Sequence, residues 1–151
     1  MNMPTILFVC TGNTCRSPMA EAFANALFSR EGIAAHIHSA GVSTGDGYPA
    51  SQHAIHTMAQ ELLDIGSHQS KQVTKEMLQE STVVLAMTAG HLRYVKTLCP
   101  TAKAFTLGDY VMGTGDVSDP FGGDLDTYHQ CATQIKQLLI NSMAKLKEDL
   151  M

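Results

Sequence analysis

The stretch Ile6-Leu7-Phe8-Val9-Cys10-Thr11-Gly12-Asn13-Thr14-Cys15-Arg16-Ser17-Pro18 decides the fold. Its four leading apolar residues read as a buried strand, and Ser17 with Pro18 suits the N-cap region and first turn of a helix. Between them a thiol and a guanidinium bracket five residues, most of them small. A strand-to-helix turn of this kind can aim backbone N–H groups at an anion, and the helix N-terminus favours negative charge there. Arg16 adds a planar fork of donors that matches phosphate oxygens. The same field favours Cys10 in its nucleophilic thiolate form. Nucleophile and oxyanion cradle together point to phosphoryl transfer through a phosphocysteine. The simpler reading is a small buried hydrophobe at a strand end, with the Cys-to-Arg spacing met by chance. The preceding strand, Gly12 inside the loop and the Ser-Pro that follows weigh against it.

Outward from this stretch, Thr5–Val9 reads as a strand and Ser17–Arg30 as a helix, with Met19, Phe23, Ala26, Leu27 and Phe28 at helical spacing and Gly32 as its stop. Ala35–Ser39 reads as a second strand, 42–50 as a loop, Gln52–Leu63 as a helix, and Thr74–Gln79 as a shorter one. Thr82–Met87 is almost wholly apolar, as a central parallel strand should be. His91–Leu98 reads as a helix, Lys103–Thr106 as a fourth strand, and Gly108–Asp126 as a Gly- and Asp-rich loop. Tyr128, Ala132, Ile135, Leu138, Leu139, Met143 and Leu146 then mark one face of a long final helix. Alternating strands and helices predict a single-domain α/β/α sandwich spanning 1–151, with a four-stranded parallel sheet and a phosphate-binding loop after its first strand. Ligands in such sheets bind beyond the carboxyl ends of strands, where Cys10 lies.

The chain has 151 residues, 44% hydrophobic, and a net charge of −4, so no broad basic surface for nucleic acid is expected. No apolar run approaches the ~20 residues that span a bilayer. With no secretory signal at the start either, a cytosolic protein acting away from membranes is expected. Cys10, Cys15, Cys99 and Cys131 lack zinc-finger spacing, and in a reducing compartment they are expected to be thiols. No metal motif occurs among the seven histidines. His36 and His38 alternate on a strand, and His53, His56, His91 and His129 are expected at the surface. The nine methionines read as core filler.

Residues 6–23, ILFVCTGNTCRSPMAEAF, resemble the opening of the low-molecular-weight protein tyrosine phosphatases. The resemblance continues through Ser39-Ala40-Gly41, Gln72-Val73-Thr74-Lys75-Glu76, Val84-Leu85-Ala86-Met87 and Ser118-Asp119-Pro120-Phe121. It implies a metal- and cofactor-free phosphatase, a monomer acting on phosphorylated proteins or peptides. Cys10 is then the nucleophile, and Arg16 binds phosphate with the loop residues Thr11, Gly12, Asn13, Thr14 and Cys15. Ser17 donates to the Cys10 sulfur. Asn13 belongs to a network with Ser39 and His68. Asp119 is the general acid that protonates the leaving group and then the base that activates water. Composition alone leaves Asp116, Asp124 and Asp126 as competitors in a solvated loop, and only the resemblance singles out Asp119. Cys15 has two readings, simple packing or a reversible disulfide with Cys10; the resemblance favours the redox pair.

The match also departs. Tyrosine-directed members usually carry a bulky aliphatic residue at the position of Thr14, often another at Thr11, and aromatic residues after the Asp-Pro, where this chain has Phe121-Gly122-Gly123. Thr88 stands where many carry Asp. These features resemble the bacterial protein arginine phosphatases, in which Thr at the Thr14 position marks selectivity. A hydroxyl there can orient polar groups or the attacking water, and Phe121 can stack on a planar guanidinium. Phosphotyrosine remains the alternative substrate. Arsenate reductases share a similar loop but need relay cysteines where this chain has Ala86 and Met87. A non-hydrolytic phosphocysteine carrier would need neither Arg16 nor Asp119.

Overall fold

The computed structural model describes residues 3–111 and 115–151. Strand β1 (Thr5–Cys10) leads into helix α1 (Arg16–Glu31) and strand β2 (His36–Gly41). Helices α2 (Gln52–Gln60) and α3 (Lys75–Glu80) precede strand β3 (Val83–Ala86). Helix α4 (Ala89–Leu98), strand β4 (Ala104–Thr106), the single turn α5 (Leu107–Tyr110) and helix α6 (Leu125–Leu150) follow. The strands form one parallel sheet in the order β2-β1-β3-β4.

The period-2 alternation of β1 builds the layers. Ile6, Phe8 and Cys10 face the cluster formed with α1, α2 and α6, through Met19, Phe23, Met58, Ile135 and Leu139. Leu7 and Val9 face the opposite cluster, with Leu78 of α3 and Val95 of α4. This is the three-layer α/β/α sandwich expected, and it sets Cys10 at the carboxyl end of a central strand.

Several boundaries differ from the sequence reading, each for a local reason. Helix α1 takes Cys15 as its N-cap residue, so Ser17 lies inside the first turn and is released from capping. Gly32 ends the helix in the left-handed conformation, φ 69°, as expected. Helix α2 stops at Gln60 rather than Leu63: Leu62 takes φ 62° and is 93% exposed. Part of the segment expected as loop from Gly108 is helical, because Thr106 accepts a hydrogen bond from Asp109 N at 3.0 Å and so caps the turn α5. At the other end of that segment Asp124 caps α6 through Thr127 N, so Leu125 and Asp126 are helical too. Residues 112–114 of the expected loop lie outside the described residues.

The end of β2 is pressed against the turn after β1. Thr11 O and Asn13 N would lie 2.6 and 3.0 Å from a Cβ placed on Gly41, so only glycine admits this approach. Gly41→Ala is therefore expected to lower stability by about 1–3 kcal/mol through overpacking, read from the urea midpoint. An unchanged midpoint would show that the turn can recede from the strand.

Candidate active site

Five carbonyls in the turn from Cys10 to Arg16 accept hydrogen bonds from groups beyond it. Cys10 O accepts from Val42 N (2.9 Å), Thr11 O from Ser43 N (3.0 Å), Thr14 O from Ser51 N (2.9 Å) and Cys15 O from Met19 N (3.2 Å). His68 Nε2 donates to Asn13 O at 2.6 Å, which fixes the proton on that nitrogen. Among the described residues, no amide from Thr11 to Cys15 donates to another protein group. Each peptide plane sets N–H opposite C=O, so tethering the carbonyls outward turns the amides inward, toward the α1 N-terminus. Cys15, its N-cap residue, makes no side-chain cap bond. The result is a lined anion cradle.

Asn13 holds this turn in shape. It is fully buried and takes φ 57°, a left-handed conformation that asparagine tolerates through local hydrogen bonds. Its Oδ1 accepts from Lys71 N at 2.9 Å, which leaves Nδ2 to donate to Ser17 Oγ (2.8 Å) and Ser39 Oγ (2.9 Å). Ser39 Oγ donates its own hydrogen bond to Glu21 Oε1. Because Ser17 Oγ accepts from Asn13, its single proton is free for Cys10 Sγ, 2.9 Å away. The structure thus brings together Asn13, Ser39 and His68 as expected, and adds Glu21 and Lys71, which the sequence reading missed.

Arg16 is buried beneath the cradle. Its Nη1 donates to Val117 O at 2.9 Å and its Nη2 to Thr11 Oγ1 at 3.4 Å. Val117 N in turn donates to Met87 O, which stitches the loop carrying Asp119 to the end of β3. Asp116 Oδ1 reinforces that attachment by accepting from Ala89 N, at the start of α4. Asp119 lies with Oδ2 3.6 Å from Arg16 Nη2, its side chain 52% exposed. Phe121 N donates to Asp119 Oδ1 at 3.0 Å across the buried Pro120. The loop thus sets a carboxylate at the mouth of the cradle. The competing acids lie elsewhere: Asp116 accepts from Ala89 N at the start of α4, Asp124 caps α6, and Asp126 lies in the first turn of α6.

His91 corrects one expectation. It is 6% exposed, not a surface residue. Its Nε2 lies 2.8 Å from Thr11 Oγ1 and its Nδ1 3.0 Å from Thr88 Oγ1. Burial first, then the neighbouring Arg16 charge, push its pKa down to about 4. The imidazole is therefore neutral around pH 7.

Cys15 points to Tyr128 Oη at 3.3 Å and Ser51 Oγ at 3.6 Å. Burial, with the Cys15 contact adding to it, raises the Tyr128 phenol to about 12. All four cysteines are free thiols. Thr14 Oγ1 lies 3.8 Å from Cys15 Sγ, and Phe121 stands 78% exposed. A groove of about 850 Å³ lies elsewhere: it is lined by residues that include His36, His38, Glu21, Ser39 and His68, and so borders the Asn13 network. Volume is a poor guide here, since an anion cradle is shallow and polar.

A thiol at a strand end, an inward ring of amides, a buried arginine and a carboxylate at the rim define a cysteine-dependent phosphatase. The chain belongs to the low molecular weight phosphotyrosine protein phosphatase family, whose model matches residues 5–151. It is 40% identical over 147 residues to the protein-arginine-phosphatase of Bacillus subtilis (strain 168), covering 95% of this chain and 97% of that one. A solved structure of a YwlE arginine phosphatase mutant with a phosphorylated active-site serine matches with a TM-score of 0.92 and 39% identity, covering 96% and 97% of the two chains. The low molecular weight protein-tyrosine-phosphatase PtpB of Staphylococcus epidermidis (strain RP62A) is 33% identical over 135 residues, 89% and 93% of the two chains.

The neutral, buried His91 has a consequence for acid stability. An unfolded histidine binds a proton near pH 6.5, whereas the folded one does so near 4. The unfolded state therefore binds more protons between those values, and stability falls as pH drops through that window. The contribution reaches at most about 3 kcal/mol. Urea denaturation at both ends of the window, in the parent and in His91→Gln, isolates it: the parent should lose more. Equal losses would show that His91 titrates alike in both states.

Proposed function

We propose that this protein is a protein arginine phosphatase that cleaves the P–N bond of phosphoarginine in proteins. The observation that carries the substrate assignment is Thr14, which places a hydroxyl rather than an aliphatic wall on the loop. The similarity over nearly the whole chain to proteins named as arginine phosphatases supports it.

In this mechanism the inward amides and Arg16 hold the equatorial phosphate oxygens and stabilise the charge that develops on them. Cys10 attacks phosphorus in line as the P–N bond breaks, and Asp119 delivers its proton to the departing guanidinium nitrogen. Water then attacks the phosphocysteine. The Asp119 carboxylate accepts the water's proton, and the sulfur leaves as thiolate, received by the Ser17 hydroxyl. The exposed ring of Phe121 offers a face for the planar guanidinium, and Thr14 orients polar groups beside it. No step calls for a metal or cofactor. We place the protein in the cytoplasm, acting as a monomer on phosphorylated proteins. No helix among the described residues is long and apolar enough to cross a membrane.

The second reading is phosphotyrosine hydrolysis, favoured by the tyrosine phosphatases at 33% identity. Comparing kcat/KM on phosphoarginine and phosphotyrosine peptides, with Thr14→Ile beside the parent, separates the two. The parent should prefer phosphoarginine and the variant should lose that preference. A parent that prefers phosphotyrosine would make Thr14 incidental.

The roles of the reacting groups carry their own test. Cys10→Ser should reduce turnover to background. Asp119→Ala should slow poor leaving groups by about 10²–10⁴-fold and p-nitrophenyl phosphate by much less. Parent-like turnover in Cys10→Ser would remove the phosphocysteine from the mechanism.

A further inference from the structure

We propose that His91 is a positioning residue for the phosphate cradle: with its proton on Nε2, it holds the Thr11 hydroxyl oxygen against Arg16 and leaves the Thr11 proton for the bound anion. The inference deepens the phosphatase reading and rests on it.

The geometry is a chain of four groups, Thr88–His91–Thr11–Arg16. Thr88 Oγ1 caps α4 by accepting the His91 backbone N–H at 3.2 Å and also meets His91 Nδ1 at 3.0 Å. His91 Nε2 meets Thr11 Oγ1 at 2.8 Å, and Thr11 Oγ1 accepts from Arg16 Nη2 at 3.4 Å. The ring is buried and has polar partners on both nitrogens, so only two proton arrangements satisfy it. In the first, the Thr88 hydroxyl donates to Nδ1, Nε2–H donates to Thr11 Oγ1, and that oxygen accepts from both His91 and Arg16. The Thr11 proton is then unspent. In the second, Nδ1–H donates to Thr88 and Thr11 spends its proton on Nε2, turning a lone pair toward the cradle.

An anion in the cradle distinguishes them. It attracts a hydroxyl proton and repels a lone pair, so phosphate selects the first arrangement. The charged groups facing the ring are Arg16 from α1 and Asp116 and Asp119 from the loop before α6. Burial, and then Arg16, oppose a positive charge on the ring and keep it neutral, with a single N–H to place on one nitrogen or the other. Thr88 suits this arrangement because it supplies a proton to Nδ1, which an ionised carboxylate at that position would not.

The test uses inorganic phosphate as a competitive inhibitor of p-nitrophenyl phosphate hydrolysis, which does not depend on the arginine assignment. His91→Leu should raise the phosphate Ki, and KM with it, about tenfold by loss of one hydrogen bond at the cradle, with kcat changed much less. His91→Gln, whose amide N–H stands in for Nε2–H, should stay within about twofold of the parent. A purely structural His91 would lower the melting temperature of both variants and leave Ki alone. Ki in His91→Leu equal to the parent's, or an equal rise in both variants, would overturn the proposal. The ring nitrogen NMR shifts of the phosphate-bound parent need no variant to fold: a protonated Nε2 and bare Nδ1 support the assignment, and the reverse overturns it. A parent that neither binds phosphate nor turns over would instead overturn the phosphatase reading itself.

Discussion

The hydrogen bonds of Asn13 are the constraint on which the site depends. The five-residue segment Thr11–Cys15 with its inward amides is under electrostatic tension, because parallel N–H dipoles repel one another and no acceptor among the described residues relieves them. Asn13 offsets this by bonding through its carbonyl and every side-chain group: Oδ1 to Lys71, both Nδ2 hydrogens to serines, and its carbonyl to His68. Those partners come from α1, from β2 and from the segment beyond α2, so the turn is tied to three separate parts of the sheet assembly. The same bonds set the direction of the Ser17 proton. The shape of the cradle and the polarity around Cys10 therefore have one origin.

A second tie acts from the β3 side of the turn. Arg16 reaches from the first turn of α1 to Val117, and Val117 is bonded to the end of β3. The loop that carries Asp119 is thus held at both the strand end and the guanidinium. Its carboxylate keeps its position at the mouth of the cradle, beside Arg16, although the side chain itself is half exposed. Rigid backbone attachment with a solvent-accessible carboxyl suits the role proposed for Asp119, which gives a proton to the leaving group and then takes one from the attacking water.

Much of this was legible in sequence, for identifiable reasons. The strands announce themselves by apolar runs, the long helices by 3.6-residue spacing, and the cradle by a contiguous motif whose chemistry is carried in order by Cys10, Gly12 and Arg16. The four-residue turn α5 has too few residues to show a period, and only its Thr106 cap could have flagged it. His91 was misplaced because its partner Thr11 lies 80 residues away, and a polar residue three positions after Thr88 looks like any exposed helix start. The Tyr128 contact to Cys15 spans 113 residues and is equally silent in a local pattern. The Thr88 hydroxyl was the one available signal for His91, since a threonine three residues before a histidine at a helix start offers a cap and a ring partner at once.

The position of Thr14 has an evolutionary corollary. Its carbonyl belongs to the fixed frame, through Ser51 N, while its hydroxyl makes one long contact to Cys15. A side chain held by its backbone alone can be exchanged without disturbing the amides, the arginine or the Asn13 bonds. If Thr14 sets the substrate as proposed, one-step replacements there can retune which phosphorylated residue is accepted while the frame of backbone bonds around it stays unchanged.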